Sequence, residues 1–290
     1  MRTLLALAGI AAVALAAASL SSGQARQPAL TGACAKGKLR LVSEGRLTIG
    51  ADNPAFPPWF GGEPKHKPWK VSDPYSGQGY ESAVAYAVAR VLDFTRSEVD
   101  WIPVPFAQSF RPGKKPFDFY ISQVSYTPER DKAVDFSKSY YFVNQALVAR
   151  KGTKIARATS IAALRPFKLG AQLGTTSYDY IVKWIKPSSK PLAYDTNDLA
   201  VQALKNGQID GIVVDLPTAF YVTAVQVPNG VIVGQFPTRG AKERFGMVLE
   251  EGNPLRDCVN KALDRLWRNG TIKRLQQVWL SKVAGAPVLT

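Results

Sequence analysis

Apolar and polar positions along this chain fall into short runs that alternate between two rhythms. Leu47-Thr48-Ile49-Gly50-Ala51 is a β-type run that ends at Asp52. The loop that follows holds Pro54, Pro57 and Pro58, which fix the backbone and present Phe56 and Trp59 at low entropic cost. From Ser82 to Leu92, Val84, Val88, Val91 and Leu92 share one face at helical spacing. Val99–Val104, Asp118–Ser122, Ala146–Ala149, Lys168–Ala171 and Ile209–Val214 read as strands. Ser160–Leu164 starts a short helix, and Gly174 to Ser177 opens another that reaches about Lys186. Asp198–Asn206, stopped by Gly207, Pro217–Ala224, Asn253–Trp267 and Thr271–Trp279 complete the helices. No internal repeat is visible.

Strands that alternate with helices imply an α/β class with mostly parallel sheets, whose ligands bind beyond the carboxyl ends of the strands. The loops after Ala51, Ile121, Ala171 and Val214 sit at such ends. They carry Asp52, Ser125 with Arg130, Thr175 with Thr176, and Asp215. A planar guanidinium suits a carboxylate, and Gly174-Thr175-Thr176 at a helix start offers N–H groups and hydroxyls to an anion. Asp215 suits an ammonium, Ser125 suits either pole, and Phe56, Trp59 and Phe106 could sandwich an aliphatic part. The residues alone leave a second reading open. Arg130 lies in Pro128-Glu129-Arg130-Asp131-Lys132, a run compatible with a solvated ion pair, and Asp215 could cap a helix.

Composition narrows the chemistry. The 290 residues include one His and two Cys, too few for most zinc sites, so neither a metal nor a cofactor is expected. His66 lies in a Lys-rich loop and reads as solvated. The formal charge of +15 is spread along the chain with no aromatic-basic interleaving. It points to anionic cell-wall polymer or lipid headgroups rather than to nucleic acid. Met1 to Ala25 has the pattern of a secretory signal: Arg2, an apolar Leu4–Leu20 stretch and a small-residue exit. A retained membrane anchor, or lipidation at Cys34, are the alternatives, so the chain is read as exported and periplasmic or cell-surface. In an oxidising compartment Cys34 and Cys258 can pair, tying the N-terminal segment to a C-terminal helix; two buried thiols are the alternative.

Several segments in order resemble a known family. They are Leu47–Asp52 with Phe56-Pro57-Pro58-Trp59; Gly77–Leu92; Ser125-Tyr126-Thr127-Pro128-Glu129-Arg130 followed by Asp135-Phe136-Ser137; Leu169–Ser177; and Asn206–Asp215. The chain resembles the extracellular solute-binding proteins, family 3, of ATP-driven importers, in the branch that binds polar amino acids. The resemblance implies a two-lobed, type II periplasmic-binding-protein-like fold with a hinge of two crossing strands. Lobe one would be 26–143 plus 242–290, and lobe two 144–241. It implies an α-carboxylate held by Arg130 and the Ser125 backbone with Thr175 and Thr176, and an α-ammonium held by Asp215 and the Ser125 hydroxyl. Phe56 would pack on the ligand side chain, with Asp52 and Gln172 setting selectivity. Gln123 stands where many members have Ser or Gly, Ala83 where the helix usually has Asp, and Trp59 where Phe is common. The implied activity is capture of a polar amino acid by lobe closure and delivery by a monomer to a membrane permease, leaning to basic or amide side chains. An enzyme of the dehydratase kind on the same scaffold, or a ligand-sensing module, are the rival readings.

Overall fold

The computed structural model describes residues 28–280 and 286–290, so the signal-peptide reading of 1–25 lies outside the described residues. In chain order the strands and helices are β1 (Leu47–Ala51), α1 (Tyr80–Val91), β2 (Val99–Pro103), α2 (Phe106–Ser109), β3 (Phe119–Tyr120), β4 (Asp135–Phe136), β5 (Tyr141–Phe142), β6 (Gln145–Arg150), β7 (Leu169–Gln172) and α3 (Thr176–Tyr180). There follow β8 (Leu192–Tyr194), α4 (Asn197–Lys205), β9 (Gly211–Asp215), α5 (Leu216–Tyr221), β10 (Gly230–Gln235), β11 (Arg244–Phe245), β12 (Val248–Leu249), α6 (Leu255–Arg268) and α7 (Thr271–Leu280). One π-helical turn extends α3 to Ile185 and another extends α5 to Gln226.

Two five-stranded sheets result, ordered β2-β1-β3-β12-β4 and β10-β6-β9-β7-β8. In the first, β1 pairs in parallel with β2 and β3, while β12 is antiparallel to β3 and β4. In the second, β7 pairs in parallel with β8 and β9, while β6 is antiparallel to β9 and β10. Each sheet is therefore mixed where the alternation of elements suggested mostly parallel pairing. The antiparallel members include the strands that adjoin the two crossings, where the chain enters the second sheet through β6 and returns to the first through β12. The crossings themselves pair as a two-stranded ribbon, β5 with β11.

Burial explains the runs. Leu47, Ile49 and Ala51 are fully buried, as a central strand covered on both faces requires. The amphipathic α6 buries Leu255, Cys258, Val259, Ala262, Leu263 and Leu266 and packs on α1 and α7. A disulfide joins Cys258 to Cys34, tying the N-terminal segment to this helix. The last residues do not follow the lobe division read from the sequence. Val288 bridges Gln235, Leu289 is buried in the second core, and the Ile161 N–H donates to the Thr290 carbonyl at 2.9 Å. Residues 286–290 thus lie on the second sheet, because Leu289 finds its apolar cover there rather than beside α7.

The aromatic loop is docked by helix geometry. The first N–H groups of an α-helix lack partners inside it. Those of Tyr80 and Glu81 donate to the carbonyls of Pro58 and Trp59, both at 2.9 Å. Gly79 makes this approach possible: it sits at φ +89°, and a Cβ there would lie 2.5 Å from the Phe60 Cα and the Trp59 oxygen. Trp59 then packs edge-on against Tyr141 of β5 and Phe245 of β11, with ring centroids 5.4 and 5.6 Å away. Loop, α1 and ribbon form one aromatic unit at the crossing.

Candidate functional site

All six strands that pair in parallel point their carboxyl ends at one cavity. Asp52 and Phe56 follow β1, Phe106 follows β2, and Ser122, Gln123 and Ser125 follow β3. From the second sheet, Gln172, Thr175 and Thr176 come with the end of β7, Thr196 and Asn197 follow β8, and Asp215 ends β9. The cavity is narrow, about 50 Å³, because the lobes touch across it. The Ser125 and Thr176 hydroxyls are 3.3 Å apart, and the rings of Phe56 and Tyr221 stand 6.1 Å centroid to centroid.

Of the residues singled out from the sequence, Asp52, Phe56, Phe106, Gln123, Ser125, Gln172, Thr175, Thr176 and Asp215 line this cavity. Trp59 does not: its ring is 1% exposed among the ribbon aromatics, and its indole N–H donates to the Thr218 hydroxyl at 2.9 Å. The docking of its carbonyl on α1 turns the side chain inward. Arg130 lies beside the cavity rather than in its wall. Its guanidinium donates to the Ser125 carbonyl at 2.5 Å and to the Gly174 carbonyl, on the other lobe, at 2.7 Å. It also stacks on Phe110 at 4.3 Å. Burial lowers the Arg130 pKa to about 10, opposed by Glu243, Asp179 and Asp215, so it stays a cation at neutral pH. The solvated ion-pair reading of Arg130 is excluded by this burial.

Thr175 is the N-cap of α3: its hydroxyl accepts from the Tyr178 N–H at 3.1 Å and donates to the Gln172 carbonyl at 2.7 Å. The adjacent Thr176 hydroxyl points across the cleft. It donates to the Glu243 carboxylate at 2.5 Å, and the Ser125 hydroxyl donates to the same oxygen at 2.5 Å.

Two of these partners were not visible in the sequence. Gln145 begins β6 directly opposite Asp215 of β9. Its amide N–H donates to Asp215 at 2.7 Å and to Glu243 at 3.1 Å, while its carbonyl oxygen accepts from the Ser177 hydroxyl at 2.6 Å. A polar residue at the head of the apolar run Ala146–Ala149 was the available signal. Glu243 lies in the returning crossing, where no pattern marks it. Burial, then the neighbouring Glu243, push the Asp215 carboxyl well above the usual carboxylate range. Burial also raises Asp52, against hydrogen bonds from the Asn53 and Phe106 backbones and from Gln172. An arriving cation would relieve both.

Beneath the floor, Glu81 of α1 is wholly buried. It accepts from the Gln123 N–H at 2.7 Å, from the Tyr140 hydroxyl at 2.5 Å and from the Gln123 side-chain amide. Burial outweighs these donors and pushes its carboxyl up to about 7.

Among the described residues no Lys or Arg lines the cavity, and no cluster of His, Cys, Asp and Glu could hold a metal ion. The arrangement is two carboxylates facing a small polar space, with a buried guanidinium and hydroxyls to one side. It can bind a small molecule with opposite poles, and each lobe supplies part of the contact.

The chain is similar to the arginine-binding extracellular protein ArtP of Bacillus subtilis (strain 168), with 26% identity over 221 residues, 74% of this chain and 83% of that one. An ancestral arginine-binding protein bound to glutamine matches with a TM-score of 0.66 and 29% identity, over 82% of this chain and 98% of the other. The ancestral amino acid-binding protein AncCDT-1, a precursor of cyclohexadienyl dehydratase, matches with a TM-score of 0.64 and 28% identity, over 81% and 95%. The profile of the bacterial extracellular solute-binding proteins, family 3, spans residues 60–282, and the chain belongs to that family.

Proposed function

We propose that this chain is an exported receptor that captures an L-amino acid with a cationic side chain and delivers it to the membrane permease of an ATP-driven importer. The observation that carries the reading is the set of charges at the six strand ends: Asp52 and Asp215 in the cavity wall and Arg130 beside it, buried. Arg130 keeps N–H groups beyond those on the Ser125 and Gly174 carbonyls, and with Thr176 these suit an α-carboxylate. Asp215 suits the α-ammonium. Asp52, hydrogen-bonded by the Gln172 side chain, suits a guanidinium or ammonium at the far end of the ligand, and Thr196 and Asn197 add polar groups to the same cavity wall. A cavity with two carboxylates and no basic residue in its wall disfavours acidic amino acids. Relatives whose names record arginine binding support the class, while another whose name records glutamine binding supports only the broader class of polar amino acids.

The work done is binding rather than bond-making. A ligand that satisfies groups on both lobes stabilises the closed arrangement, and only that differential affinity drives closure. The closed form is then what a permease would recognise, and a monomer suffices for it. Glu81 is sealed beneath Gln123 and does not line the cavity, and the two carboxyls that do, Asp52 and Asp215, serve in this reading as partners for the ligand's cationic groups.

A thermal-shift screen over the twenty amino acids and common polyamines tests the reading. At a hundredfold excess over Kd a ligand stabilises by about 2.7 kcal/mol, several degrees in Tm. A basic amino acid is expected to give the largest rise. A screen in which no amino acid moves Tm, or in which aspartate and glutamate lead, contradicts it.

A further inference from the structure

Gln123 is anomalous in three respects. It occupies the cavity floor, it holds a left-handed backbone at φ +51° without being glycine, and both of its nitrogen groups face one buried carboxylate. A non-glycine residue in that region is strained unless its surroundings hold it there. Here Glu81 does so, fixed in turn by the Tyr140 hydroxyl at 2.5 Å. A carboxamide has one donor end and one acceptor end. Because Glu81 accepts from the donor end, the amide cannot turn over without setting carbonyl oxygen against carboxylate oxygen. With the amide nitrogen held by Glu81, the Oε1 end is left to accept: no hydrogen-bond donor is recorded for it among the described residues, and Gln123 lines the cavity.

We infer that Glu81 is a positioning residue that makes Gln123 an acceptor-only reader of the ligand side chain, so that the floor selects ligands ending in N–H donors. The inference rests on the amino-acid reading of the cavity and names its ligand class: guanidinium or ammonium termini, against isosteres that present a carbonyl there. Gln123 Oε1 and the Asp52 carboxylate then act together, since both accept and neither can donate when Asp52 is ionised. A ligand with a carbonyl in that place leaves acceptor facing acceptor, the kind of mismatch that separates near-identical molecules strongly.

L-arginine and L-citrulline test this, being nearly isosteric but differing in one donor nitrogen replaced by a carbonyl oxygen. Calorimetry at pH 8, where Glu81 is ionised, compares the natural chain with Gln123→Leu, Glu81→Gln and Glu81→Asp, each checked for folding by circular dichroism. The natural chain is expected to favour arginine. Gln123→Leu and Glu81→Gln are expected to cut the arginine-to-citrulline ratio at least tenfold, with Glu81→Asp recovering most of it. An unchanged ratio in folded Gln123→Leu overturns the inference, and this variant decides should Glu81→Gln not fold. A reduced ratio in Gln123→Leu with no change in folded Glu81→Gln overturns the positioning role of Glu81. Binding of other amino acids but of neither probe overturns the ligand class alone. A natural chain that binds no amino acid overturns the receptor reading and this inference with it.

Discussion

The indole N–H of Trp59 and the hydroxyl of Thr218 meet at 2.9 Å across the two lobes. Trp59 belongs to the loop clamped on α1, and Thr218 to α5, which directly follows the cavity residue Asp215. The bond joins the lobes beside the cavity without touching its contents, as does the Arg130 guanidinium on the Gly174 carbonyl.

Such a bond exists only when the lobes are together, so it adds to the closed state alone. A hydrogen bond contributes about 1 kcal/mol. Thr218→Val should therefore weaken amino-acid binding roughly fivefold, chiefly by faster release, while leaving Tm of the empty protein within a few degrees. Stopped-flow tryptophan fluorescence, summed over the six tryptophans of the chain, measures the release rate. An unchanged rate would show that the contact does not report closure.

Glu81 gives the fold a pH dependence of definite sign. Its carboxyl ionises near 4.5 in an unfolded chain but is held up to about 7 by burial in the fold. Between those values the folded protein keeps a proton that the unfolded chain has lost, so this contribution is complete below about pH 4.5 and disappears as pH rises through 7. It amounts to at most ~3 kcal/mol. Denaturation from pH 5 to pH 8 should show a smaller fall in stability for Glu81→Gln than for the natural chain. Parallel curves for the two would contradict the assignment.

The disulfide closes a separation of 224 residues between Cys34 and Cys258. The loop-entropy relation puts an upper figure of about 5 kcal/mol on so long a closure, and measured values are often smaller. The double variant Cys34→Ser with Cys258→Ser should lose several degrees in Tm. Neither cysteine lines the cavity, so ligand affinity should stay within about threefold. A loss of binding equal to that of a cavity variant would place the bridge in the wrong functional context.

Much of this molecule was legible before its coordinates. The strands β1, β7 and β9 announce themselves because central, doubly covered strands need unbroken apolar runs, and the positions just past their ends follow from that. That reading supplied Asp52, Ser125, Thr175, Thr176 and Asp215 of the cavity wall, whereas Gln123 and Gln172 came from the family resemblance and Phe56 and Phe106 from their aromatic character. Short strands such as β4, β5, β11 and β12 have two residues each, too few for any periodicity, so the ribbon and the mixed character of the sheets were hidden. Gln145 and Glu243 escaped for a related reason: they act through cross-strand register and through the crossing, which are tertiary facts. Trp59 failed in the other direction. A proline-held aromatic near a strand end can face ligand or core, and only the contact of its carbonyl with α1 decides for the core.

In the proposed receptor Asp215 and Arg130 hold opposite poles of one small molecule between the lobes. Titration calorimetry of L-arginine against the natural chain and Asp215→Asn tests this most directly. The loss of a buried charge partner costs about 2–5 kcal/mol or more, so one site per chain and a decrease of about thirtyfold to several thousandfold in the variant are expected. Equal affinities in two well-folded proteins would contradict it.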